Sequence, residues 1–455
     1  MQHITLRWLR HKFEQYCFAV ILIISLNLYW GAPVVYSQTF CHTAFVLFLI
    51  CAILLCHKVY LETRTFFSFD IIFTIAFLYT NYIYGVYLYT VNSDFSLFRL
   101  AFNENYICKA TILSTVAYCS YALGRSYYFK SQSKHRADEK IVFNISRLES
   151  ILKILLVIVL ILLLPHIGSK YSGSIELGSL GLNLLNLSII ILYYILIVEF
   201  RRKTSPKTLI KNNFILLCLT FAVMAALSLM GSRTIPLRLM LIILFLYNKY
   251  IYRIPNRYLF LIGGFGFFLM YFIGATRFGY RVDSISDNML IEVGNELIIN
   301  NRSLFVLIEY ADKYGYSYGI SLLLNILSVI PFLQSIFLNL TGWSEADINS
   351  AYLVTDLYFK HRTDSVIGLG TNLVGDVYLC FGYIGVIVIF YLLGRLINKI
   401  SNSDRFIHIT ILILFFMNAV YYTRSTLLTP IREIAWIYVI YRLTTKRYKS
   451  NNSKL

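Results

Sequence analysis

Charge is scarce in this chain. Of 455 residues only 14% are Asp, Glu, Lys or Arg, against 58% hydrophobic, and the mean hydropathy is +0.65. So little charge over such a length excludes an ordinary soluble globular protein. Paired cysteine motifs are missing too. The eight cysteines lie inside or at the ends of apolar runs with no CxxC among them, which argues against a disulfide framework and a zinc site. Neither a DxD pair nor an HExxH occurs, so a metal-chelated sugar-phosphate site and a zinc hydrolase both lack support, and no metal or cofactor is expected. The basic start MQHITLRWLRHK precedes an apolar run, yet no small-residue cleavage site follows it; we read an uncleaved first helix.

What the chain does have is apolar runs of about 15–22 residues along its whole length, and a bilayer core takes roughly 20 helical residues to cross. The runs do not alternate as barrel strands do, which leaves helices as the spanning element. We expect an all-α polytopic integral membrane protein with twelve spans, near 16–30, 40–56, 71–92, 107–128, 150–166, 181–200, 213–230, 236–250, 257–275, 377–395, 406–424 and 430–445. The net charge of +18 would suggest nucleic acid in a soluble protein, but here the basic residues flank the spans and orient them, so no nucleic acid is implied. Segments such as KSQSKHRADEK (130–140) and RRKTSPKTLIK (201–211), with the tail TTKRYKSNNSK, put most of the 41 Lys and Arg on one side. By the positive-inside rule that side is the cytoplasm, and both termini lie there.

Residues 320–339, ISLLLNILSVIPFLQSIFLN, are nearly long enough to cross, but a crossing would move the basic tail outside. Parity favours an interfacial or re-entrant helix. The chain then divides into a nine-helix bundle (1–275), one large outer loop (276–376), and three further spans with the basic tail (377–455). A loop of that size is usually functional.

The basic residues left on the outer face are mostly arginine, a rigid planar fork that binds phosphate oxygens two at a time. Arg233 and Arg238 stand in LMGSRTIPLRLML (229–241), Arg277 and Arg281 in GATRFGYR, Arg362 in the loop, and Arg424 in YYTRS. Such a set suits a lipid-linked diphosphate at the interface; the plainer alternative is that each arginine snorkels to headgroups. The loop's single histidine, His361, with Asp364 and Asp376, supplies candidate general bases, in that order, although a lone loop histidine is more often a hydrogen-bond donor. Thirty-seven tyrosines offer faces for sugar rings, but most are expected in interface belts and helix packing.

The topology, GSRTIPLR after the seventh span and GLGTNLVGDVYLCFGYIGVI at the end of the loop together resemble the O-antigen polymerase family of oligosaccharide repeat unit polymerases. The resemblance implies a GT-C-like, metal-independent membrane glycosyltransferase of the bacterial inner membrane with its active site facing the periplasm. Its substrates would be undecaprenyl-diphosphate-linked oligosaccharides in a lipid membrane, with a chain-length regulator as a further partner. Arg233 matches the family's motif arginine, Arg277 or Arg281 the arginines that begin the loop, and His361 only loosely the loop histidine of the related ligases. The alternatives are an O-antigen ligase and a lipid-linked oligosaccharide flippase. Transporters place ionisable groups inside spans, whereas these charges sit at span ends and beside a long outer loop, which favours an enzyme.

Overall fold

A computed structural model describes residues 2–91, 102–127, 141–167, 178–202, 208, 211, 213–230, 232–277, 289–359 and 368–447. The main helices, in chain order, are α1 (Gln2–Trp30), α2 (Gln38–Thr63), α3 (Phe69–Asn81), α4 (Ile107–Ser126), α5 (Ser146–Leu163), α6 (Gly178–Arg201), α7 (Phe214–Leu229), α8 (Thr234–Tyr250), α9 (Asn256–Arg277), α10 (Met289–Tyr314), α11 (Leu333–Thr341), α12 (Leu373–Ser401), α13 (Phe406–Tyr422) and α14 (Ile431–Thr444). The described residues of the twelve apolar stretches are mainly helical, as backbone amides in lipid require, but 71–92 is broken into α3, a π-helix (Ile83–Leu88) and Tyr89–Val91. Among the described residues five helices are long and apolar enough to cross a bilayer, and the bent pair Phe69–Asn81 and Ile83–Val91 makes a sixth; Phe214–Leu229 and Phe406–Tyr422 are apolar but shorter.

Residues 320–339 form two short pieces in place of one helix. Leu323–Leu327 and α11 are separated at Pro331 and by Phe332, whose φ is +65°. At nine residues α11 is about 14 Å long, less than half a bilayer core. Among the described residues the one departure from an all-helical plan is a short antiparallel ribbon pairing Ile141–Phe143 (β1) with Thr445–Arg447 (β2). Paired strands share one side of any membrane, so an even number of crossings separates them.

Contacts divide the chain into two compact units, 1–130 with 288–429 and 131–287 with 430–455. This grouping follows packing; the linear division into bundle, loop and C-terminal segment follows the expected position against the membrane. In the first unit α4 and α12 meet backbone to backbone. A Cβ on Gly124 would lie 2.0 Å from the Tyr391 carbonyl oxygen, and one on Gly394 would lie 2.1 Å from that of Tyr121. Small residues at such a crossing let helices approach where no hydrophobic drive acts between them. Beside it Arg125 is fully buried. Its Nε donates to both oxygens of Asp70 (3.2 and 3.1 Å), Nη2 to Glu62 (3.1 Å) and Nη1 to Asn398 (2.6 Å), while the Tyr121 hydroxyl also donates to Asp70. One cation thus ties α2, α3, α4 and α12.

In the second unit α5 packs on α6 and α7, α8 on α6 and α7, and α14 on α6, closed by the ribbon. The Thr444 hydroxyl and that of Tyr194 are hydrogen-bond partners, and Arg202 donates to the Phe143 carbonyl. These bonds fix the strand ends against α6.

Candidate functional site

The polar end of the first unit begins with a fault in α3. After Asn81 the chain turns into a π-helix, Ile83–Leu88, and the bent pair makes an angle of 41°. Single π turns inside α-helices gather at functional sites because they free backbone groups and re-aim side chains. Here the Asn81 carbonyl accepts from Asn301 Nδ2 (3.0 Å), and its side-chain Oδ1 accepts from Asn372 Nδ2 (3.0 Å) and Ser114 Oγ (3.3 Å). Ser114 lies seven residues into α4, so this amide knot sits about 10 Å below the end of that helix.

Asn372 is the hub. Its Oδ1 caps α12 by accepting from the Val374 and Gly375 amides, and its Nδ2 reaches the Asn300 carbonyl as well as Asn81. An asparagine cap satisfies helix-end amides that lipid would leave unpaired. Just before it, Gly370 has φ +79°, a conformation that disfavours any side chain; a Cβ there would also press on Asn300 Oδ1 (3.1 Å) and the Arg424 carbonyl oxygen (3.4 Å). The strand-like stretch 371–373 is stitched to the end of α13: the Thr371 amide donates to the Arg424 carbonyl and the Leu373 amide to that of Thr423. The motif GLGTN thus serves to bring loop, cap and Arg424 together.

Asp376 is fully buried one turn into α12. Ser350 Oγ donates to its Oδ1 (2.6 Å) and the Leu427 amide to its Oδ2 (2.8 Å), while Thr371 donates to Ser350. Both carboxylate oxygens are therefore engaged in clasping three loop segments. Arg424 is half-buried at the edge of this knot, its guanidinium 5.7 Å from the Tyr421 ring, with Nε near Gly370. Arg302, directly after the amides Asn300 and Asn301 on α10, is buried, donates to the Tyr84 hydroxyl (2.8 Å) and lies against the Tyr84 and Phe102 rings.

The other two candidate arginines with described side chains, Arg233 and Arg238, belong to the second unit. Arg233 is half-buried and occupies the N-cap position of α8. Arg238, one turn further on, is paired with Glu433 of α14 at 3.4 Å, both side chains mostly buried. That carboxylate answers charge which would otherwise be offered to an anion. Arg277 ends α9, but its side chain is outside the described residues, as are His361, Arg362, Asp364 and Arg281 altogether. Among the described residues no cluster of three His, Cys, Asp or Glu could hold a metal ion.

Sequence reasoning passed over Asn81, Asn300, Asn301, Asn372 and Ser350. Two signals were present: an amide at the end of an apolar helix, costly in lipid unless paired, and an asparagine directly before a helix start. The rest lie far apart in sequence and converge only through packing.

Among known families, the model described as O-antigen polysaccharide polymerase Wzy matches residues 188–449, more than half of the chain. No curated protein and no solved structure matches it.

Proposed function

The chain belongs to the O-antigen polysaccharide polymerase Wzy family, and on that premise we propose that it joins undecaprenyl-diphosphate-linked repeat units at the periplasmic face of the bacterial inner membrane. The observation that carries this reading is the family match itself, which runs through both the Arg233 and the Arg424 segments. The apolar helices make it an integral membrane protein, as a lipid-linked substrate requires.

In the proposed reaction the bond between the anomeric carbon of the growing chain and its diphosphate oxygen breaks, and a hydroxyl oxygen of the incoming unit bonds to that carbon. The hydroxyl proton goes to a base, and undecaprenyl diphosphate leaves. Charge develops on the leaving group, so pre-set guanidinium forks aimed at it lower the barrier; such electrostatic terms are usually the largest in catalysis. Arg424 and Arg233 are alternative candidates for this contact, each considered within its own unit, with Arg277, Arg281 and Arg362 as further candidates from the sequence. Arg238 is a weaker candidate because Glu433 already engages it. His361 and Asp364 are the candidate proton acceptors. Asp376, held by Ser350 and the Leu427 amide, fits a positioning role better than that of a base.

The test is a strain lacking this chain. A surface glycan reduced to one repeat unit on core supports polymerisation. Polymerised lipid-linked chains that never reach core would indicate a ligase, and unpolymerised units held on the cytoplasmic leaflet a flippase.

A further inference from the structure

At the end of the first unit where α1 stops and α4 begins, a second group of side chains takes no part in the amide knot. Lys109 of α4 pairs with Asp312 of α10 at 2.5 Å, and the Tyr378 hydroxyl donates to the other Asp312 oxygen at 2.7 Å. The pair is partly open, with 29% and 24% of the side chains exposed. Rings adjoin it: Lys109 Nζ lies over Tyr378 (5.6 Å) and Tyr106 (6.0 Å), Tyr316 lies edge-on to Tyr378 (5.9 Å), and nearby Tyr383 packs against Tyr29 (5.8 Å) and Trp30 (5.1 Å).

The backbone that presents these rings is unusual. Gly382 breaks α12 with φ +65° and ψ −164°, and across the break the Leu379 and Cys380 carbonyls accept from the Ser317 and Tyr318 amides instead of helical ones. The docked loop turns through three positive φ values, at Gly315 (+94°), Tyr318 (+48°) and Gly319 (+90°). Tyr316 fills the space a Cβ on Gly382 would need, while Tyr318 is held outward, 79% exposed. A tyrosine kept in a left-handed conformation costs free energy, and such strain gathers at ligand clamps.

We propose that the exposed Tyr318 and its loop neighbour Tyr316, next to the Tyr378-bound Lys109–Asp312 pair, form a saccharide-binding platform with the Trp30 and Tyr383 rings at the same end of the unit. The reasoning is chemical. A carboxylate beside an ammonium accepts from and donates to neighbouring sugar hydroxyls, and exposed rings offer flat apolar faces to the C–H side of a pyranose. Rings of an interface belt would anchor singly to headgroups; here rings pack on one another next to a partly open ion pair. That the ligand is a sugar rests on the proposed polymerase reading; the platform would hold the repeat unit's glycan away from the diphosphate.

The probe is the lipid-free repeat-unit oligosaccharide released by mild acid from the strain's own glycan, titrated against the full-length protein in nanodiscs with saturation-transfer NMR as readout. Tyr318→Ala is expected to weaken binding on the order of ten-fold with the melting temperature unchanged, Tyr318→Phe to keep it, and Asp312→Asn to weaken it similarly. Tyr318 is on the surface, so its variants remain informative if Asp312→Asn fails to fold. Wild-type binding by Tyr318→Ala, or by Tyr318→Leu, which preserves apolar area for a membrane anchor but not the ring, overturns the platform. Loss of polymerisation in the deletion strain with those variants binding normally would sink the platform and spare the polymerase; Tyr318-dependent binding with polymerisation intact in the deletion strain would do the reverse.

Discussion

The two ends of the first unit bury polar groups in opposite ways. At one end Arg125 is enclosed by two carboxylates and an amide, so its charge is matched and its geometry closed. At the other, Asn81, Asn300, Asn301 and Asn372 interlock through neutral amides beside Arg424 and Arg302. The first arrangement can only hold helices. The second is held by hydrogen bonds between neutral side chains and backbone, with two guanidinium groups alongside.

Substitutions that sharpen this contrast begin at the glycine crossing. Gly394→Leu should abolish folded protein, because its Cβ would meet the Tyr121 carbonyl oxygen at 2.1 Å, backbone against backbone; size-exclusion profiles in detergent would show it, and a monodisperse peak at wild-type yield would contradict the close approach. Next is Arg125→Ala, which strands Asp70 and Glu62 without their cation. Breaking a buried pair costs about 3–5 kcal/mol, so thermal unfolding should shift far down while any surviving protein retains its catalytic residues. Arg424→Lys belongs to the other end: charge is kept and the fork lost, so polymerisation should fall by roughly 10–100-fold with little change in melting temperature. Arg233→Lys makes the parallel test in the second unit, and normal glycan length in both would remove the arginine clamp. The smallest effect is Asn372→Ala, which loses a cap worth about 1 kcal/mol and unties Asn81 from α12; activity should drop more than stability does. Equal losses would make the knot merely structural.

The positions of the helices were legible in the sequence because hydropathy acts locally, and the arginine of GSRTIPLR drew notice through its spacing. The π turn after Asn81 was not legible: IYGVYL reads as uninterrupted apolar helix, and only its contacts with α4 and α10 select the wider turn. Pro331 hinted that 320–339 would not be one rod, yet the break at Phe332 depends on a backbone conformation that composition does not encode. Arg125 misled in the other direction. Near the end of an apolar run it resembles any orienting cation, and its carboxylate partners lie 55 and 63 residues away. The amide knot was hidden for the same reason, since residues 81, 114, 300 and 372 share no local period. The family match located the general reaction, but residues 360–367, with His361, Arg362 and Asp364, lie outside the described residues.

The Arg125 cluster also bears on how the protein is made. Its last ligand, Asn398, is 273 residues downstream of the arginine, and at a synthesis rate of about 5–20 residues per second the ribosome needs roughly 15–55 s to reach it. Until then Asp70 and Glu62, made before Arg125, are the ligands of this cluster available to match its charge. The cluster is therefore completed in two stages, its charge matched from early residues and its last hydrogen bond supplied by the late helix α12.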